Sequence, residues 1–166
     1  QMDPNRPGGS MALGNLLFLT GQLKRAIEVR RKAIKIAPND FAVLGGTASL
    51  LRYMGSEQEA VELFERALRL SPKHPWWIPS AYGHALHLVG RKEEAVTALK
   101  RAIDMKPAKM TTQVRLAAVY ADLGRMNEAK AAATEVKLRN PKFTASRYMT
   151  AYSLNDATRY DCNMSL

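Results

Sequence analysis

"GSEQEAVELFERALRLSPKH", residues Gly55–His74, decides the fold, because its skeleton occurs three more times in the chain. The copies are "GQLKRAIEVRRKAIKIAPND" from Gly21, "GRKEEAVTALKRAIDMKPAK" from Gly90 and "GRMNEAKAAATEVKLRNPKF" from Gly124. In each, an alanine follows the glycine by five residues and a proline follows the alanine by twelve. The prolines Pro38, Pro72, Pro107 and Pro141 are therefore 34, 35 and 34 residues apart, and Pro4 lies another 34 before Pro38. A fixed period of this size means one supersecondary unit stacked on copies of itself. Residues 1–9 read as the end of a preceding repeat or a leader.

Two helical patterns meet inside each unit. Before the glycine, "FAVLGGTASLLRYMG" carries Val43, Leu44, Thr47, Leu51 and Met54 at three- and four-residue spacing; after it, Ala60, Leu63, Phe64, Ala67 and Leu68 repeat that spacing. Each unit is thus two amphipathic helices of about thirteen residues. The glycine stands where the first helix stops, since it alone takes a left-handed helix end without steric cost. Ala26, Ala60, Ala95 and Ala129 stand early in the second helix, where two rods crossing closely leave room for a methyl group. The prolines follow the second helix, where a residue without an N–H ends it. One residue inserted before the third unit explains the spacing of 35, and it places Pro79 in a first helical turn, where its missing N–H has no intrahelical partner to lose.

The composition agrees with an ordinary globular chain: 166 residues, 46% hydrophobic and 24% charged. No apolar run reaches the eighteen or so residues of a membrane span, and "QMDPNRPGGS" lacks a secretory pattern, so the expected location is cytoplasmic. The single cysteine, Cys162, excludes an internal disulfide. A net charge of +10 favours acidic partners. Lys24, Arg25, Arg30, Arg31, Lys32 and Lys35 crowd one helix with Glu28 opposing them, yet no aromatics interleave, and solvated cationic stems explain them better than nucleic acid does.

The pattern resembles the tetratricopeptide repeat, a 34-residue helix-turn-helix unit. Gly14, Ala48, Gly83 and Ala117 fill the family's small position in the first helix, and Leu17, Leu51, Leu86 and Tyr120 the position three later. The late small position of the second helix holds Ala33, Ala67 and Ala102, but Val136 in the last unit, where Ala133 also replaces a bulky residue such as Phe64; a looser final pair is expected. The resemblance implies an all-α fold: a right-handed α–α superhelix of four repeats, at about 7–40, 41–74, 76–109 and 110–143, closed by a capping helix and frayed tail within 144–166. A narrower resemblance, carried by Pro75, Trp76, Trp77, Pro141, Phe143 and Thr144, is to the carboxy-terminal arrays of bacterial class III adenylate or guanylate cyclase-type regulators. It implies a regulatory piece of a longer protein.

The family's ligands lie on a concave face made mostly by first helices. Carrying its groove positions onto this chain implies a partner-binding surface of Asn15, Phe18, Ser49, Arg52, Tyr53, Trp77, His84, His87 and Thr111, with Met11, Leu19, Ser80, Leu88, Val114, Ala118 and Asp122 beside them. Trp, Tyr and Arg are the usual anchors of such a surface. One of Trp76 and Trp77 is expected to pack structurally, and His74 to be an exposed loop residue. The family's clamp of lysines and asparagines for acidic chaperone tails is not reproduced: two of its positions hold Met11 and Gly46.

His84 and His87, at i and i+3 without a nearby carboxylate or cysteine, are expected to line the groove and not to hold a metal. No phosphate loop, nucleophile elbow or carboxylate pair appears, so no catalytic residue and no cofactor are assigned. The expected function is a non-catalytic module binding a peptide or a partner domain. The alternatives are a scaffold that self-associates through end faces exposing Leu13, Leu16, Leu17 and Phe18, and, less favoured, a basic nucleic-acid surface.

Overall fold

A computed structural model describes residues 7–144. Residues 1–6, Cys162 and the expected capping helix, with Tyr148, Met149, Tyr152 and Leu154, lie outside the described residues. Among the described residues are eight helices and no strand: α1 (Pro7–Leu19), α2 (Leu23–Ile36), α3 (Phe41–Leu51), α4 (Glu57–Leu70), α5 (Trp77–Leu88), α6 (Lys92–Met105), α7 (Met110–Asp122) and α8 (Met126–Arg139). They fall into two compact units, divided between His74 and Pro75. In the first, α1 packs on α2 and α3 on α4, with α3 also against α1 and α2; in the second, α5 packs on α6 and α7 on α8, with α7 also against α6 and α5.

The local chemistry follows the repeat. Gly21, Gly55, Gly90 and Gly124 have φ of 75°, 77°, 81° and 72°, the left-handed region. The amide after each reaches back five residues to close the helix, as in Gln22 N–H to Leu17 O at 2.8 Å and Arg91 N–H to Leu86 O at 2.9 Å. Each of Pro38, Pro72, Pro107 and Pro141 stands two residues beyond the end of a second helix. Asp40 caps α3 by accepting from the amides of Ala42 at 2.8 Å and Val43 at 3.1 Å. Pro79 sits in the first turn of α5.

Ala26, Ala60 and Ala95 are fully buried and Ala129 nearly so. In the first unit the core adds Val43, Leu44, Leu51, Val61 and Phe64; in the second, Ile78, Leu86, Leu99, Val119 and Val136. A Cβ on Gly83 would lie 2.7 Å from Leu99 Cγ and 3.1 Å from the carbonyl oxygen of Ala95, so α5 and α6 touch almost backbone to backbone. In the last pair Val136 is buried while Ala133 is exposed.

Three expectations are corrected. Leu17, expected to be uncovered at an end face, is buried, because it holds the inward position of α1 that Leu51 and Leu86 hold in α3 and α5. His74, expected in solvent, is only 3% exposed; flanking prolines restrict the backbone, but they do not decide which way a ring faces. Arg30, counted among the solvated cations of α2, is 4% exposed. Its place in the repeat is that of Phe64 and Leu99, which point into the core, so the helix carries its side chain inward whatever its charge.

Candidate functional site

In the first unit, α1, α2 and α3 enclose a small cleft lined by Asn15, Phe18, Arg30, Gly46, Ser49, Leu50 and Tyr53, with about 100 Å³ of free space. Asn15 and Phe18 stand one turn apart on α1, Ser49 belongs to α3, and Tyr53 lies just past its end. Phe18 and Tyr53 meet with ring centroids 5.4 Å apart and planes tilted by 39°. The Arg52 guanidinium lies 4.3 Å from the Tyr53 ring centre, in cation–π range, and Arg52 itself is 4% exposed. Four residues assigned to the groove from sequence, Asn15, Phe18, Ser49 and Tyr53, therefore line one cleft, and the fifth from these two repeats, Arg52, stacks on the Tyr53 ring without lining it.

Arg30 reaches this cleft from α2. One terminal nitrogen donates to Asn15 Oδ1 at 2.5 Å, the other lies 2.7 Å from Met11 Sδ, and Nε has no hydrogen-bond partner. Glycines on both sides make room for it. A Cβ on Gly14 would meet Arg30 Nε at 2.5 Å, and a Cβ on Gly46 would meet the Nη1 nitrogen at 2.6 Å. Burial lowers the Arg30 pKa from its ordinary value, and among the described residues no carboxylate opposes that shift. Sequence reasoning missed Arg30 because only first-helix positions were carried over; Gly46 and Leu50 are first-helix residues whose hydrogen and apolar side chain gave no binding signal. The signal was present in the register, where Arg30 aligns with Phe64, Leu99 and Ala133.

In the second unit, Trp77 and His84 are half-buried on α5 and Thr111 is exposed at the start of α7. His87 Nε2 lies 2.7 Å from Asp122 Oδ2, tying α5 to α7. The hydrogen bond from His87 holds the Asp122 carboxyl below its usual range, and the charge of Lys92, whose Nζ donates to the Asp122 carbonyl at 3.0 Å, adds to this. Deeper, the Ser80 and Thr112 hydroxyls pair at 2.9 Å, and Arg115 donates to Ser80 Oγ at 3.1 Å. Lys109 Nζ lies 5.0 Å from the Trp76 ring centre, a structural use for one of the two tryptophans. Arg125 pairs with Glu128 and, at 3.1 Å, with Glu93, and stacks 4.7 Å from the Tyr120 ring centre; these partners raise its pKa. Among the described residues no three His, Cys, Asp or Glu side chains converge in a way that could hold a metal. No described helix is long and apolar enough to cross a membrane.

The tetratricopeptide repeat family model matches residues 10–40, 47–74, 81–109 and 111–143. Among curated proteins, the chain is 28% identical over 123 residues to small glutamine-rich tetratricopeptide repeat-containing protein 2 of Mycosarcoma maydis, covering 72% of this chain and 34% of that protein. It is 25% identical over 116 residues to the CTR9 homolog of Arabidopsis thaliana, covering 70% of this chain and 11% of that one. The chain thus spans between about a tenth and a third of the length of these relatives. Solved structures of the same fold include MamA from Desulfovibrio magneticus RS-1 (TM-score 0.74, 20% identity, 85% of this chain and 79% of that one). They also include YrrB, described as a TPR protein with an unusual peptide-binding site (TM-score 0.71, 20% identity, 93% and 81%).

Proposed function

Because this chain belongs to the tetratricopeptide repeat family, whose members mediate protein–protein interaction, we infer that it is a non-catalytic binding module that takes a peptide or partner domain on its first-helix faces. The observation that carries this reading is the cleft of the first unit, where Asn15, Phe18, Ser49 and Tyr53 surround space of side-chain size. An aromatic wall beside an amide, a hydroxyl and a guanidinium is the mixture that anchors one residue of a partner. Trp77, His84, His87 and Thr111 offer a second such face in the other unit. A regulatory setting inside a larger bacterial protein is supported by the opening Pro75-Trp76-Trp77 and by Pro141, Phe143 and Thr144 alone, and a cytoplasmic location is part of the same proposal.

Selection of displayed random peptides on the immobilised protein tests the reading. Enriched peptides should bind at least about tenfold more weakly to Tyr53→Ala and Phe18→Ala, variants that remove interface aromatics. They should bind unchanged to Lys130→Ala on the exposed side of α8. Equal loss in all three, or no loss in the cleft variants, would overturn it. Self-association has its own support in Leu16 and Leu19, which are 53% and 80% exposed on α1. Light scattering across a concentration series, with Leu19→Ser as control, decides whether copies meet there.

A further inference from the structure

We propose that the outer face of the first unit, made by α2 and the end of α4, docks on an anionic lipid bilayer, through lysines that reach headgroups and two aliphatic side chains beside them. This goes beyond the peptide-binding reading and uses the opposite side of α2 from the cleft.

Lys24, Glu28, Arg31, Lys32 and Lys35 fall on one arc of α2, and all are exposed. The arc runs for about 16 Å along the helix and faces away from Arg30, which points into the cleft. The arginines on this side are engaged: Arg31 pairs with Glu59 at 2.8 Å, and Arg25 donates to the Gln22 side-chain oxygen. Among the described residues no carboxylate pairs with Lys24, Lys32 or Lys35, not even Glu28, one turn from the first two. These charges also work against the helix that carries them. Lys24 and Arg25 stand at the positive end of the α2 dipole, where the other second helices place Glu59, Glu93, Glu94 and Glu128. A row of lysines that costs its helix stability and meets no partner in the fold is accounted for by a partner outside it.

The chemistry of the face selects a membrane over other polyanions. Ile36 and Leu70 close α2 and α4 and are 49% and 42% exposed. Each sits among cations: Ile36 follows Lys32 and Lys35, and Leu70 follows Arg69 and precedes Lys73, all of them exposed. Arg66 of α4 donates to the Pro38 carbonyl oxygen at 2.6 Å, which ties that helix to the end of α2. Cations beside aliphatic side chains match the boundary between headgroups and acyl chains. A nucleic acid strand would find no stacking platform, since Phe64, the one aromatic of α2 and α4, is fully buried. The unpaired cations are lysines, point charges on flexible stems that suit a fluid sheet of headgroups, whereas fixed carboxylates of a folded partner favour the rigid fork of arginine. Each lysine near such a surface strengthens binding roughly fivefold, so the contact is reversible and grows with the row.

The test is co-sedimentation of the whole protein with vesicles of phosphatidylcholine alone and of phosphatidylcholine mixed with phosphatidylserine, at low and raised salt. Duplex DNA and polyglutamate are titrated beside them. The anionic vesicles should bind at least about tenfold more tightly than the neutral ones, and salt should weaken that binding. No preference for the anionic vesicles, or tighter binding of duplex DNA or polyglutamate than of those vesicles, would overturn the proposal.

Variants at exposed positions, which should leave helicity by circular dichroism unchanged, locate the surface. Lys24→Gln, Lys32→Gln and Lys35→Gln together should cut binding to the anionic vesicles at least about tenfold. Lys130→Gln, Lys137→Gln and Lys142→Gln together remove the same charge from exposed positions of the second unit, and should cut it less than about threefold. Equal loss from both sets would mean attraction by net charge alone and would sink the proposal. Ile36→Ser should weaken vesicle binding at least about twofold; an unmoved affinity would leave a surface for charge only and remove the membrane as its occupant. Tyr53→Ala, which alters the cleft, should bind vesicles as the parent does, so failure on this face leaves the peptide-binding reading standing.

Discussion

At the scale of single residues, Arg30 has the largest consequence, because it trades core packing for a charge. Replacing a buried charge by an apolar residue of the repeat's own choosing is commonly neutral or stabilising, so Arg30→Leu is expected to keep or raise the melting temperature. Gly46→Ala sets a new methyl against two flexible ends, the Met11 methyl and an Arg30 terminal nitrogen. Alanine gains up to about 1 kcal/mol over glycine inside a helix, so the net effect is expected to stay within about 1 kcal/mol of zero. The change should be more favourable by at least about 0.5 kcal/mol in the Arg30→Leu background, where the guanidinium is gone. A thermal double-mutant cycle measures both, and strictly additive effects would refute the contact. Asp122 gives a residue-scale prediction of another kind. Its carboxyl is held low by His87, so it is deprotonated more readily folded than unfolded. Any stability it adds is present above the unfolded carboxylate pKa and lost as pH falls through the depressed folded one. Carbon-detected titration should show the Asp122 carboxyl returning toward its ordinary range in His87→Ala, and an unmoved midpoint would contradict the pair.

At the scale of the helix, each element is bounded by its own chemistry. Gly55 has φ of 77°, a conformation that costs a residue bearing Cβ roughly 1–2 kcal/mol; chemical denaturation of Gly55→Ala should show a loss of about that size. Removing the Asp40 cap with Asp40→Ala should cost about 1 kcal/mol by the same measurement. These boundaries were legible in the sequence because they depend on near neighbours: a glycine that must turn left-handed, and a proline that cannot continue a helix. The face that each helix buries was legible from the same period. The exceptions were Arg30 and His74, where residue type and position disagreed. Polar type suggested solvent for both, and the packing of neighbouring helices overrode it.

At the scale of the whole molecule, the helix pairs pack on one another within each compact unit, so damage should stay local. Ala60→Leu, at a fully buried crossing of α3 and α4, should cost about 1–3 kcal/mol. Hydrogen exchange should quicken in α3 and α4 more than in α7 and α8; uniform acceleration would show the two units to be one cooperative block. The sequence by itself determined the all-α repeat fold, the number of helix pairs, their ends and their small crossing residues, because period and turn chemistry act over a few residues along the chain. Only the tertiary structure decided that Asn15, Phe18, Ser49 and Tyr53 share one cleft, that His87 is engaged by Asp122, and that an arginine from the neighbouring helix lies among the first-helix residues with no carboxylate partner among the described residues. Those relations depend on side chains distant in sequence meeting across packed helices, and spacing along one helix carries no information about what the next one brings to it.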